Sequence, residues 1–201
     1  MGRDSASTAG SNEVLNSGYQ PKPVRVLGSQ ISTLLVFYLR YLNHPCKLRL
    51  WYFLFRVLRW PKLLVRYAKS SWLVLDQRDL PQRMILWKGY YEPEVWEVLA
   101  AHLSENEIFW DIGAHIGSVT VRAALDSRIQ SVHSFEPSPI ILPSLRTNIE
   151  FNKLNQVKIY PFGLSEKSGT FPLYFGPVTN RGMTSLNKTS GGSNAASTLV
   201  V

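Results

Sequence analysis

The sequence predicts an α/β protein built on a parallel sheet, and three observations carry that reading. Strand-like and helix-like segments alternate between about residues 107 and 161. Asp111 closes the first of those strands just before a turn that carries Gly113 and Gly117. A second acid, Glu136, closes the next strand, and neighbouring parallel strands present their carboxyl ends to one crevice.

Taken in order, residues 1 to about 30 are rich in Ser, Gly, Asn and Pro without an apolar period, the composition of a mobile tail. They lack the basic and apolar pattern of a secretory signal, and Ala6 stands where an N-myristoylation signal requires Ser or Thr. Residues 31–69 read as two or three helices, broken at Asn43-His44-Pro45 and at Trp60-Pro61, because proline disfavours helix through itself and its predecessor. The apolar run Leu34 to Leu39 is too short to span a bilayer. Arg49, Arg56 and Arg59 nearly share one helical face, while Leu50, Phe53, Leu54, Val57 and Leu58 lie largely on the other. Two readings stand side by side: a basic amphipathic segment lying on an anionic membrane surface, or a helical cap on the domain that follows.

Residues 70–186 read as the principal, partial domain. A strand around Trp72 to Leu75 precedes a loop and a helix in which Pro93 takes a first-turn position and Val95, Val98, Leu99 and Leu103 repeat at helical spacing. A strand at Glu107 to Asp111, a helix over about 116–125, a strand at Gln130 to Glu136, a helix over about 139–152 and a strand at Val157 to Pro161 then form a βαβαβ run. Such a run means parallel strands joined by crossover helices. A strand pair follows from Thr170 to Phe175, and residues 187–201 have a flexible composition ending in a scrap of strand.

Composition narrows the function classes. With 45% hydrophobic residues the chain can fill a core, and its single cysteine, Cys46, excludes an internal disulfide framework and argues against a cysteine-based zinc site. No metal is expected. The setting that fits is reducing and cytoplasmic, with peripheral attachment at the inner membrane surface following from the amphipathic reading. Of the 22 Lys and Arg, eight fall between Ile31 and Lys69 together with none of the 14 acidic residues, so the net charge of +8 is a local property. A localised basic and aromatic stretch does not make the whole surface nucleic-acid-like, and no nucleic-acid partner is expected.

In the turn after Asp111, glycines let the backbone approach a ligand, while a helix N-terminus offers unpaired N–H groups. Glu136 is placed to accept hydrogen bonds from both hydroxyls of a ribose. The competing ligand is a nicotinamide or flavin dinucleotide, whose fingerprint wants G-x-G-x-x-G so that a pyrophosphate can sit over the turn. Here Ala114, His115 and Ile116 separate Gly113 from Gly117, and an acid beside the turn would repel a phosphate. A donor carrying an ammonium and a sulfonium tolerates that acid.

The stretch from about Gly89 to Leu186 resembles the FkbM family of methyltransferases. The resemblance rests on G-Y-Y-E-P-E, W-D-I-G-A-H-I-G-S-V-T, S-F-E-P-S-P followed by L-R-T-N-I-E-F-N, F-G-L-S-E-K-S-G, and N-R-G-M-T-S-L, in that order. It implies a Rossmann-like class I methyltransferase fold, of which this chain supplies the first three strands and a small β insertion, preceded by the helical segment. It also implies an enzyme using S-adenosyl-L-methionine for O-methylation of a hydroxyl on a sugar, lipid-linked or secondary-metabolite acceptor. Asp111, Gly113, Ala114, His115 and Gly117 then form the donor loop, Glu136 the ribose contact, and Gly163 and Leu164 lie near the adenine. Asn180, Gly182, Ser185 and Leu186 match the pattern without an assignable role.

His115 stands where that family usually has Asn. It reads first as a hydrogen-bonding partner of the donor carboxylate or of nearby backbone, with a general base as the alternative. His102 and His133 read as structural. The family continues into a strand near I-D-V-E-G that is missing before Val201, so an open sheet edge and one uncovered side of the donor cleft are expected. No catalytic base can be named from the sequence. The rival reading is a non-catalytic, membrane-associated protein that retains a relic of the donor-binding half.

Overall fold

The computed structural model describes residues 26–68 and 70–187, and the backbone of 193–200. Its elements follow in chain order: β1 (Val26–Leu27), α1 (Ser29–Tyr41), α2 (Lys47–Val57), β2 (Lys62–Tyr67), β3 (Ser71–Leu75), α3 (Leu80–Lys88) and α4 (Pro93–Ala101). After them come β4 (Glu107–Ile112), α5 (Ser118–Ala124), β5 (Ile129–Phe135), α6 (Leu142–Phe151), β6 (Val157–Tyr160), β7 (Gly169–Phe175) and β8 (Ser193–Val200). A short 3-10 turn at Arg181–Met183 lies between the last two strands. Residues 1–25 of the expected tail lie outside the described residues.

The predicted α/β, Rossmann-like architecture is present. β4, β5 and β6 form a parallel sheet in sequential order, with Asp111 opposite Ser134 and Ile112 opposite Phe135. α5 and α6 supply the crossovers, and their buried Val121, Leu145 and Ile149 pack with Val132 of β5 in one core. The expected open edge is also present. β4 pairs only with β5 among the described residues, and Ile108, Trp110 and Ile112 on its far face are 57%, 57% and 64% exposed.

Outside this unit the structure departs from the sequence reading in four places. Lys62–Tyr67 is a strand rather than the end of a helical segment. Arg59 and Trp60 both take positive φ, 57° and 52°, which turns the chain out of α2 ahead of Pro61. Leu63, Val65 and Tyr67 then point inward at period two, a pattern masked by the apolar Leu64 between them. β2 pairs antiparallel with β3 from Leu63↔Leu75 to Tyr67↔Ser71 and parallel with β1, so the segment before residue 70 is built into the fold. Residues 26–30, assigned to the tail, form β1 and the start of α1. α3 was not foreseen, since L-P-Q-R-M-I-L-W-K has little apolar period; Pro81 sits in its first turn and Gly89, at φ 89°, ends it. Finally, residues 193–200, where the sequence suggests flexible chain ending in a scrap of strand, form an 8-residue strand along β7.

The upstream segment is fastened to the rest of the fold through particular side chains. Trp51 and Phe55 of α2, 2% and 0% exposed, share the core with Leu63 and Leu73. Burial on this scale contributes about 2–3 kcal/mol per side chain. Arg40 of α1 donates to the carbonyls of Leu86 and Ile85 at 2.8 and 3.0 Å, satisfying the C-terminal end of α3. Lys62 donates to Ser144 Oγ at 2.9 Å.

α6 joins the two halves. Asn148 Oδ1 accepts the N–H of Val74 at 2.7 Å while its Nδ2 donates to the carbonyl of Ile116 at 2.8 Å. One turn on, Asn152 accepts the N–H of Trp72 and donates to the carbonyl of the same residue. The pair therefore occupies the edge of β3 that faces away from β2, and Asn148 also holds the turn that follows β4.

Candidate functional site

The turn from Gly113 to Gly117 owes its shape to three left-handed residues at alternate positions: Gly113 at φ 82°, His115 at 52° and Gly117 at 86°. Glycine adopts this conformation freely, and His, like Asn, is among the side chains that tolerate it. Gly113 and Gly117 have different structural roles. A Cβ on Gly113 would meet nothing within 4 Å, whereas one on Gly117 would stand 2.7 Å from Leu145 Cδ1. The first glycine leaves open space beside the turn; the second allows α5 to pack on α6.

The turn is bound to the end of the neighbouring strand. The N–H groups of Gly113 and Ala114 both donate to the carbonyl of Phe135, at 2.9 and 3.0 Å. The next residue, Glu136, is 6% exposed; its Oε2 accepts the N–H of His115 and its Oε1 that of Ser138, each at 2.8 Å. Each oxygen keeps a further lone pair. Asp111 accepts the hydroxyl hydrogen of Thr120, whose Oγ1 lies 2.9 Å from Ser134 Oγ. Burial raises the pKa of both acids. The Thr120 hydrogen bonds oppose this at Asp111, and the backbone donors Ser138 and His115 oppose it at Glu136.

Asp111, Gly113, Ala114, His115 and Glu136 line a cavity of about 270 Å³ together with Tyr91, Ser138, Arg181 and Gly182. Its opposite wall is built from α3 and the 3-10 turn at Arg181–Met183, which Asp79 brings together. Asp79, 2% exposed, accepts the backbone N–H of Arg181 through Oδ1 at 2.6 Å and the amide of Gln82 through Oδ2 at 2.8 Å. The N–H of Leu80 meets the carbonyl of Thr179 at 2.8 Å. Asp79 Oδ2 also lies 3.5 Å from Nε2 of His115. Burial lowers the His115 pKa below its ordinary value and the charge of Asp79 opposes that shift. His115 Nε2 is buried and makes no hydrogen bond, and a neutral imidazole keeps a lone pair on one ring nitrogen that can accept a proton from a hydroxyl.

Of the residues named from sequence, Asp111, Gly113, Ala114, His115 and Glu136 line this cavity. Gly117 does not, and acts through packing. Gly163 and Leu164 lie half-buried beyond β6 and are also outside the lining. Gly182 lines it, whereas Ser185 bridges to Tyr174 and accepts the N–H of Asn187, as a turn hydroxyl would. His133 stacks against Tyr160 with its Nδ1 2.9 Å from the phenol oxygen, and His102 contacts the Val98 carbonyl, both remote from the cavity. Sequence reasoning missed Asp79, Ser138 and Arg181. Ser138 lay inside a motif already singled out; its Oγ is buried, lacks a hydrogen-bond partner and lines the cavity. Among the described residues no three His, Cys, Asp or Glu side chains converge closely enough to hold a metal ion.

The sequence matches no family model, and no curated protein matches it. Among solved structures, the chain is similar to TYW2 of M. jannaschii in complex with AdoMet, with 25% identity, a TM-score of 0.38 and coverage of 49% of this chain and 42% of that one. It is also similar to P. horikoshii TYW2 in complex with MeSAdo, with 18% identity, a TM-score of 0.39 and coverage of 57% and 47%. The chain thus spans less than half the length of either.

Proposed function

We propose that the cavity between the Gly113–Gly117 turn and Arg181 binds S-adenosyl-L-methionine, and that the chain is the donor-binding part of an FkbM-like O-methyltransferase. The observation that carries this reading is the charge of the cavity. Asp111 and Glu136 line it and Asp79 stands directly behind His115, with Arg181 the cation in its wall. An acid-walled site of this size suits a nucleoside with a cationic amino-acid tail and opposes a pyrophosphate. The free lone pairs of Glu136 suit two ribose hydroxyls, and the orphaned Ser138 Oγ suits a further polar atom of the ligand. When bound, S-adenosylmethionine supplies a methyl group activated on a sulfonium.

The chain's own residues then have definite tasks. The turn and Glu136 hold and orient the nucleoside, and the 3-10 turn, fixed by Asp79, covers it from the far side. We assign to His115, whose Nε2 lies 3.5 Å from Asp79, the task of taking the proton of an acceptor hydroxyl. The acceptor class that fits is a hydroxyl of a sugar, lipid-linked or secondary-metabolite molecule. Titration calorimetry of the full chain tests the assignment: S-adenosylmethionine and S-adenosylhomocysteine are expected to bind and NAD⁺ not to. Preferential binding of NAD⁺ would overturn it.

Protonation gives a second test. Because the folded pKa values of Asp111 and Glu136 lie above their unfolded ones, the folded state binds the extra protons. Their ionisation therefore costs stability as pH rises upward from the ordinary carboxylate range near about 4. A cation in the cavity favours the ionised forms, so it draws these pKa values back down and releases protons. Affinity for S-adenosylmethionine is expected to rise as the pH is raised above the ordinary carboxylate range. Calorimetry in buffers of different ionisation enthalpy should show net proton release at the acid end. Proton uptake there would contradict the assignment.

A further inference from the structure

We infer that the outward face of α2, reinforced by that of α1, docks on an anionic phospholipid surface. This inference is independent of the methyl-transfer reading. In an 11-residue helix successive side chains are about 100° apart, so the core contacts of Trp51 and Phe55 fix what faces out. Leu54 and Leu58, which the sequence grouped with the outer apolar residues, turn toward the core and are half-buried. The direction opposite the core is taken by Phe53, 66% exposed, with Val57 at 63% and Leu50 at 50% on one flank. Arg49 and Arg56 stand exposed on the other.

A helix that merely capped the domain would present a polar outer face. This one presents an aromatic residue at its crest, aliphatic side chains beside it and two guanidinium groups, with no acid between Ile31 and Lys69. α1 repeats the apolar part of this pattern, with Leu34 and Tyr41 70% and 69% exposed and Ile31 and Phe37 over half exposed. Large apolar side chains exposed at this density mark an interaction surface. The unopposed positive charge specifies the partner: lipid phosphates receive the guanidinium groups while Phe53 and its neighbours enter the acyl boundary. Arg40 and Lys62 are already committed inside the fold and Lys47 is half-buried, and among the described residues Arg49, Arg56, Arg59 and Arg66 are the exposed cations of this segment. Among the described residues no helix is long and apolar enough to cross a membrane, so the contact is peripheral.

The test is sedimentation of the full chain with vesicles of phosphatidylcholine mixed with phosphatidylglycerol, against vesicles of phosphatidylcholine alone. The mixed vesicles are expected to bind at least about tenfold more tightly, and raised salt to weaken that binding. Phe53→Asp and the double variant Arg49→Glu/Arg56→Glu should each lose about tenfold or more of the affinity with an unchanged unfolding temperature, since all three side chains are solvent-facing. Equal affinity for the two vesicle types, no binding to either, or variants that bind like the parent would overturn the inference. So would a parent that does not bind vesicles but self-associates on gel filtration through Phe53, which would assign the face to a second copy of the chain. If a variant unfolds, the lipid and salt dependence of the unaltered chain decides alone.

Discussion

Replacing Glu136 by alanine is expected to weaken S-adenosylmethionine binding at least tenfold, about 1.4 kcal/mol. The carboxylate has two tasks in the same place. It offers lone pairs to the ligand, and it accepts the N–H groups of His115 and Ser138 that set the shape of the cavity wall. Glu136→Gln removes the charge and leaves one oxygen to accept, so it should lie between the parent and the alanine variant. Asp111→Ala should also weaken binding at least tenfold, through loss of negative charge and release of the Thr120 hydroxyl. Asp111→Asn retains an acceptor for Thr120 and separates those two contributions. Calorimetric titration of the four variants reads the order directly, and wild-type affinity in both alanine variants would dismiss the cavity as the donor site.

That Glu136 was legible in the sequence while Asp79 was not has a physical reason. A βαβαβ run places the ends of successive parallel strands side by side, so an acid closing each of two strands can be brought together on paper from topology alone. Nothing comparable links Asp79 to Arg181, whose backbone N–H it accepts across 102 positions of chain. That contact depends on α3, whose apolar period is weak, and on a three-residue 3-10 turn. The same contrast explains the strands. β4, β5 and β6 were recognisable as short apolar runs between helices, whereas β2 lay hidden in a run that also satisfied a helix.

His115 shows how tertiary context alters a reading that the sequence favours. Its place in the turn suggested a partner for the donor's carboxylate. The structure sets Asp79 3.5 Å from its Nε2, and a second carboxylate there would meet repulsion. The positive φ at this position accounts for the residue type, since His shares with Asn a tolerance for the left-handed region. The turn thus accepts an imidazole where the resembling family has an amide, and with it a lone pair that an amide nitrogen does not offer.

The largest loss of stability is expected from Asn148→Ala. Asn148 is fully buried, and its amide serves two backbone groups at once: the N–H of Val74 on the edge of β3 and the carbonyl of Ile116 in the Gly113–Gly117 turn. The truncation leaves both partners buried and unpaired, at about 1–3 kcal/mol each, for a total of about 3 kcal/mol or more. Asn152→Ala acts on the same strand at a half-buried position, so water can replace its amide at Trp72 and the cost is expected to be smaller. Thr147→Ala, on the exposed side of α6, should change stability by less than about 0.5 kcal/mol and serves as the control. Urea denaturation measures the series. Because Asn148 also holds the carbonyl of Ile116, its alanine variant should lose affinity for S-adenosylmethionine even where it remains folded. An Asn148 variant with parental stability and affinity would show that α6 does not set the geometry of the site.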